Sequence, residues 1–149
     1  MIRIVFIMSA IAMVGMTAVV AQTDPIAVRK DMMKQNNKHA KALNSMVRGE
    51  ATFDAKAVSA AYDQWTETAN RFGSLFPDNS KTGGNTRSKA AIWEKRKDFD
   101  AKLAAFSKAV ASGKGKSSTL DGLKASMSTI NTTCNDCHDL YRAPSQKKK

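Results

Sequence analysis

Apolar positions recur at alternating spacings of three and four residues in four separate stretches of the chain. This pattern is typical of amphipathic α-helices, because a turn of about 3.6 residues brings such positions onto one face. The first two stretches place on their inward faces Ile26, Arg29, Met33, Asn36, Ala40, Leu43 and Val47, and then Val58, Ala61, Trp65, Thr68, Phe72 and Leu75. The third and fourth place there Ile92, Arg96, Phe99, Leu103, Phe106 and Val110, and then Leu120, Leu123, Met127, Ile130, Cys134, Cys137 and Tyr141.

Residues that start or stop helices bracket each stretch. They are Gly49 after the first, Asp54 and Pro77 around the second, Ser88 before the third, and Ser118 or Thr119 before the fourth. Four amphipathic helices of this length joined by short or moderate links favour antiparallel neighbours. The sequence therefore predicts an all-α protein built as an up-down-up-down four-helix bundle.

The N-terminal stretch has a different character. Arg3 precedes an apolar run from Ile4 to Ala21, and the run ends in small or branched residues. This pattern predicts a signal peptide over residues 1–21, with cleavage after Ala21 and a single mature domain at residues 22–149. The alternative is an uncleaved membrane anchor. Cleavage predicts a secreted, periplasmic protein that no longer has a membrane segment.

The charge of the chain is strongly basic, with 24 Lys and Arg against 13 Asp and Glu. Such a surface suits nucleic acid, an anionic membrane or an acidic protein partner. Secretion argues against nucleic acid, so an acidic protein is the expected kind of partner. Three lysines, Lys147 to Lys149, form a terminal tail that we interpret as solvated.

Two cysteines, Cys134 and Cys137, stand three residues apart and directly before His138. The Cys-x-x-Cys-His spacing is the attachment pattern of c-type haem. Residues three apart share one helix face, so both thiols reach the two vinyl groups of one porphyrin. His138 can then give an imidazole nitrogen to the iron. The pattern predicts covalent haem c on the C-terminal helix.

Two other interpretations of the cysteine pair stay open. A redox dithiol would be expected beside a βαβ pattern, which the sequence lacks. A zinc site needs about four ligands, and only His39 could add to these three. The sequence has no serine–histidine–acid set, no paired carboxylates on one helix face and no glycine-rich phosphate loop, so we do not expect an enzyme.

A haem motif at the end of a four-helix bundle resembles the cytochrome c′ family, and especially its low-spin cytochrome c-556 type. The resemblance spans nearly the whole mature chain. It rests on Gly49-Glu50, Phe53-Asp54, Leu75-Phe76-Pro77, Ile92-Trp93, and Cys134 to His138 followed by Tyr141-Arg142. It implies a periplasmic haem protein with His138 as the proximal ligand, and it suggests a homodimer formed through the first two helices.

The distal side divides this family. The c-556 type has a methionine ligand on the first helix, at the position that falls on Met33. Five-coordinate cytochromes c′ have an apolar residue there and bind small gases. Met33 also lies on the inward face, whereas Met32, about 100° around the helix, is expected at its flank.

The polar residues on the inward face, Arg29 and Asn36, need partners there. A haem propionate suits Arg29, and Arg142 is a second candidate for such a contact or a cation completing the helix C-terminus. The predicted function is therefore a one-electron carrier with His138 and Met33 as iron ligands and redox proteins as its unidentified partners. The alternative is a five-coordinate cytochrome c′ that binds nitric oxide or carbon monoxide.

Overall fold

The computed structural model describes residues 24–145, which contain five α-helices. These are α1 (Pro25–Val47), α2 (Ala55–Arg71), α3 (Ala91–Glu94), α4 (Arg96–Lys114) and α5 (Leu120–Tyr141). Two short 3₁₀ turns, Phe72–Leu75 and Asp78–Ser80, follow α2. The predicted signal peptide and the lysine tail lie outside the described residues. Within residues 24–145, no helix is both long and apolar enough to cross a membrane.

Side chains cap the starts of three helices, and the sequence predicted two of these caps. The carboxylate of Asp54 accepts hydrogen bonds from the first amides of α2, and the hydroxyl of Thr119 accepts one at the start of α5. Asp24 caps α1 in the same way. Gly49 follows the end of α1 with φ of +75°, a conformation that residues with a Cβ rarely adopt. The predicted boundaries at Gly49, Asp54 and Thr119 are confirmed.

The start of the third predicted helix is wrong. Ser88 caps no helix: it pairs with Arg142 in an isolated antiparallel bridge, and its hydroxyl lies 3.1 Å from that of Thr86. The first helical residue is Ala91. Backbone pairing with the end of α5 holds the segment before Ala91 extended, so the helix starts later than its apolar pattern suggests.

The same helix is also interrupted. Lys95 has φ of −118° and ψ of 45°, outside the helical region, so α3 is a single turn and α4 begins at Arg96. The apolar spacing continues across this break, which is why the sequence indicated one helix.

The four long helices form the predicted bundle. Helix α1 packs against α2 and α5, and α4 packs against the same two helices. Helices that follow each other in the bundle are therefore neighbours, and the links between them allow the antiparallel order that the sequence predicted.

Two separate apolar cores fill the bundle. The first lies toward the end that contains Gly49 and the α4–α5 turn, and its buried members are Leu43, Met46, Val58, Ala61, Tyr62, Trp65, Phe106, Ala109, Val110, Leu123, Met127 and Ile130. The second lies toward the start of α1 and the end of α5, and comprises Met32, Phe72, Phe76, Ile92, Phe99 and Tyr141. Ring centroids 5.0–5.3 Å apart link Phe72, Phe76, Phe99 and Tyr141 in edge-to-face contacts.

Gly122, at the start of α5, lies so close to the backbone of the α4–α5 turn that a substitution there tests this fold. A Cβ there would lie 1.8 Å from the backbone carbonyl oxygen of Lys116, which cannot move without opening the α4–α5 turn. We expect Gly122→Ala to lower the free energy of unfolding by about 3 kcal/mol, as overpacking against fixed atoms does.

Gly115→Ala is the matched control, because a Cβ there meets nothing within 4 Å and its φ is −73°. It should stay within about 0.5 kcal/mol of the unmutated protein, as is usual for surface changes. Urea unfolding of both variants measures the difference. Equal stability of the two variants would contradict the described α4–α5 turn.

Candidate functional site

The C-terminal half of α5 carries the cysteine pair and the histidine. Cys134 packs against the first core and Cys137 packs against the second, so the pair spans the junction of the two cores. Both cysteines are half-buried free thiols. One helix face thus presents two sulfur atoms to the bundle interior, one helical turn apart.

The layer between the two cores is only half-buried. Inward residues on three helices are only half-buried there: Met33, Asn36 and Ala40 of α1, Leu103 of α4, and Cys134, Cys137 and His138 of α5. Buried residues stand on both sides of the layer, such as Phe99 and Phe106 on α4. A flat cofactor held by the two thiols fits between them, and we call the seven half-buried residues the junction layer.

Burial keeps both thiols protonated. It raises the pKa of Cys134, and together with the neighbouring Cys134 it raises the pKa of Cys137 to about 11. A redox dithiol or a metal-binding thiol needs the thiolate, and therefore a lowered pKa. These thiols therefore lack the lowered pKa that either of those alternatives would use.

His138 is neutral at physiological pH. Burial, followed by the positive charges of Arg142 and Arg87, lowers the pKa of its imidazole to about 4. Neutral imidazole is the form that binds a metal. Among residues 24–145, no group of three or more His, Cys, Asp or Glu side chains could hold a metal ion, so a zinc site that includes His39 has no support.

Arg142 ends α5. Its amide donates a hydrogen bond to the carbonyl of His138, its side chain is exposed, and its charge acts on Cys134, Cys137 and His138. This position suits a cation at a helix C-terminus. A propionate contact for Arg142 stays a prediction.

Arg29 is buried, with 3% of its surface exposed. Its guanidinium donates to Leu75 O at 3.0 Å, to Ser80 Oγ at 2.9 Å, to Ser80 O at 2.8 Å and to Thr86 Oγ1 at 2.9 Å. It also lies over the ring of Phe76, 4.7 Å from the ring centroid. The hydrogen bonds of Arg29 therefore hold the connection between α2 and α3 against α1.

The Nε atom of Arg29 has no hydrogen-bond partner. Among the described residues, it is the one buried side-chain nitrogen or oxygen that lacks such a partner. Burial lowers the pKa of Arg29, against a raising effect of Asp24, because few opposite charges compensate the cation. An anionic group reaching Nε would satisfy both the donor and the charge. This is the second feature that fits a haem, whose propionates are such groups.

The sequence pattern did not reveal the partners of Arg29 in the α2–α3 connection. Those partners include two backbone carbonyls, which leave no signal in the sequence. The hydroxyls of Ser80 and Thr86 are the only part of the arrangement that a search for acceptors near a buried arginine could have found.

The predicted position of Met32 at the flank of α1 is wrong. Met32 is buried in the second core with 7% exposure, whereas Met33 is half-buried and packs against that core together with Cys137. Helix α1 is wedged between α2 and α5, and its inward sector is wider than one line of residues. Met33 does share the junction layer with the haem motif, and its iron ligation stays a prediction.

Asn36 lies one helical turn beyond Met33. Its Nδ2 is 4.0 Å from Met33 Sδ, within hydrogen-bond range for sulfur, and its Oδ1 is 3.0 Å from Thr68 Oγ1 on α2. The sequence singled out Asn36 as a polar inward residue, but it could not show these contacts.

Known proteins resemble this chain over its whole described length. The cytochrome C′ family model matches residues 24–142. Cytochrome c-556 of Rhodopseudomonas palustris is 36% identical, with 95% of this chain and 97% of that protein covered. Cytochrome c′ of the same organism is 34% identical, with 91% and 92% covered. The solved structure of cytochrome c′ from Rhodopseudomonas palustris has a TM-score of 0.79, covering 84% of this chain and 100% of that one. The chain therefore belongs to the cytochrome c′ family, and its cofactor is covalently bound haem c.

Proposed function

We propose that this protein is a periplasmic one-electron carrier of the c-556 type, with haem attached through Cys134 and Cys137 and iron ligated by His138 and Met33. The observation that carries the proposal is the shared position of Met33 and Cys137, which pack against the same core at the junction layer. The 36% identical cytochrome c-556 supports it. Arg3 and the apolar run from Ile4 to Ala21 support export.

Each residue has a defined part in this function. The thiols of Cys134 and Cys137 would hold the haem as two thioethers on one face of α5, each formed by addition of S–H across a vinyl group with the hydrogen passing to carbon. His138 offers a neutral nitrogen, and Met33 offers a soft sulfur. Haem supplies a one-electron ferric–ferrous couple, and His/Met ligation raises its reduction potential. Arg29, through its unpartnered Nε, could donate a hydrogen bond to a propionate.

Gas binding is the second candidate, supported by the 34% identical cytochrome c′. In this function Met33 stays a packing side chain of the second core and the sixth position of the iron is open to nitric oxide or carbon monoxide. A homodimer formed through α1 and α2 stays a prediction for either function.

Met33→Ala separates the two candidates. If Met33 is a ligand, the ferric iron should change from low-spin to high-spin, and the ferrous protein should bind carbon monoxide readily. The fold should survive, because His138 and the thioethers remain. Absorption spectra, carbon monoxide titration and circular dichroism measure these three outcomes.

The control is Met32→Leu. Met32 is buried, so truncation to Ala would cost about 2–5 kcal/mol and confuse the comparison. Leucine nearly conserves its volume and should cost less than about 1.5 kcal/mol, with no change in spin state. If the unmutated protein is already high-spin and takes up carbon monoxide freely, the gas-binding function replaces electron transfer.

The attachment residues have their own test. Cys134→Ala and Cys137→Ala should each leave one thioether, which mass spectrometry under denaturing conditions detects as retained haem mass. The double variant should release all its haem into acidified organic solvent. Haem that stays with the double variant under those conditions would mean that attachment lies elsewhere in the chain.

Docking with an acidic redox protein should use the surface around the haem motif. Leu140 is the one large apolar side chain exposed there, at 48%, among the described residues. Cations close to the motif are Arg87 and Arg142, whose charges act on His138, and Lys102, whose charge acts on Cys137. Asp98 and Asp139 lie among these cations. The net charge of the whole chain is positive, with 24 Lys and Arg against 13 Asp and Glu, and this excess favours a partner of the opposite sign.

Small oxidants of opposite charge test this surface. Oxidation of the ferrous protein by hexacyanoferrate(III), an anion, should slow as salt rises and slow further in Lys102→Glu. Oxidation by tris(phenanthroline)cobalt(III), a cation, should respond in the opposite direction. Lys56→Glu, at the far end of the bundle, makes the same change in net charge and should matter much less. Equal effects of the two substitutions would contradict a local docking surface.

A further inference from the structure

Two polar side chains next to Met33, Asn36 on α1 and Thr68 on α2, connect the two helices through a hydrogen bond. Thr68 is almost completely buried, at 1% exposure, and Asn36 is half-buried in the junction layer. Burying an amide or a hydroxyl is unfavourable unless hydrogen bonds replace those lost to water. The contacts of these two residues therefore have to account for their position inside the bundle.

Acceptor chemistry fixes the orientation of the Asn36 amide. The Asn36 side chain lies between Met33 Sδ at 4.0 Å and Thr68 Oγ1 at 3.0 Å. A thioether sulfur only accepts hydrogen bonds, so the end of the amide beside it has to be the NH₂ group. The carbonyl end then faces Thr68, whose hydroxyl donates to it.

Thr68 is itself held in place by α2. Its hydroxyl lies 3.0 Å from the carbonyl oxygen of Gln64, one turn earlier, and the Gln64 amide approaches it at 3.4 Å. The hydroxyl has one hydrogen, which it shares between the Gln64 carbonyl and Asn36 Oδ1, and its oxygen accepts from the Gln64 amide. Asn36 is anchored at its oxygen, and its nitrogen is directed at the sulfur of Met33.

We infer that Asn36 is a positioning residue for the methionine ligand, and that Thr68 orients Asn36. This inference rests on the proposed ligation of iron by Met33. The Met33 thioether has two lone pairs, so its sulfur could ligate iron through one while accepting a hydrogen bond from the Asn36 amide through the other. The hydrogen bond fixes the direction of the sulfur. It also withdraws electron density from the sulfur, which makes the sulfur a weaker donor to the ferric iron and raises the reduction potential.

Asn36→Leu removes the donor and nearly keeps the volume of the side chain. We expect the reduced-to-oxidised ratio at a fixed potential to fall by up to about tenfold, equivalent to about 59 mV for a one-electron couple. The iron should stay low-spin, because Met33 is still present, and the methionine-to-iron charge-transfer band should shift. Spectroelectrochemical titration measures the potential and the band together.

Thr68 provides a double-mutant cycle. Thr68→Val removes the hydroxyl and frees the Asn36 amide to rotate, so the potential should shift in the same direction as in Asn36→Leu, by less. In the Asn36→Leu background, Thr68→Val should shift the potential no further, because there is no amide left to orient. Thr68→Ser keeps the hydroxyl and should restore the potential of the unmutated protein.

Gln35→Leu is the matched control, since Gln35 is an amide on the same helix that faces the groove between α1 and α2. It should leave the potential and the charge-transfer band unchanged. A purely structural Asn36–Thr68 contact would give a different result: lower melting temperatures in both variants, with an unchanged potential and band. That result would overturn the inference.

If the proposed ligation itself is wrong, the variants at Met33 and Asn36 should give a different set of results. If Met33→Ala has the same spectrum and potential as the unmutated protein, Met33 is not a ligand, and both the ligation and the inference that rests on it are rejected. If Met33→Ala becomes high-spin while Asn36→Leu leaves the potential unchanged, ligation by Met33 holds and only the inference about Asn36 is rejected.

Discussion

The half-buried layer between two apolar cores is the constraint on which the rest of this structure depends. Each core consists of large buried side chains, whereas the inward residues between the cores are only half-buried. The two cysteines stand where α5 crosses this layer, one against each core, so a group attached to both would lie between the two cores.

A buried cation organises the end of the bundle next to this layer. Arg29 is held by four hydrogen bonds to the connection between α2 and α3 and by the ring of Phe76. A cation in such a place is costly unless its charge and its donors are satisfied. The hydrogen bonds satisfy the donors on the outer nitrogens, whereas Nε and much of the charge remain uncompensated. A carboxylate of the cofactor would supply what the chain does not, so the fold of this loop and the binding of haem are expected to reinforce each other.

The sequence predicted the parts of the structure that depend on local chemistry. The caps at Asp54 and Thr119 and the stop at Gly49 each follow from one residue and its own backbone. The errors arose where contacts with segments distant in the sequence determine the local structure. Ser88 looks like a cap, but pairing with Arg142 across the bundle end overrides it, and a wide helix interface buries Met32 and half-buries Met33. The haem motif could be recognised because its spacing is itself the chemistry, whereas the partners of Arg29 include backbone carbonyls that no sequence displays.

The attachment chemistry also explains how one bundle can serve different functions. The attachment residues all lie on α5, so retention of the haem is not expected to depend on the side that faces α1. Under the proposed ligation, a change at Met33 would alter the sixth position of the iron while the covalent attachment and the two cores remain. Asn36 on the same helix contacts Met33, and Thr68 on the next helix contacts Asn36. Under that proposal, the choice between carrying an electron and binding a gas would rest on these few side chains of α1 and α2, which can change while the fold stays the same.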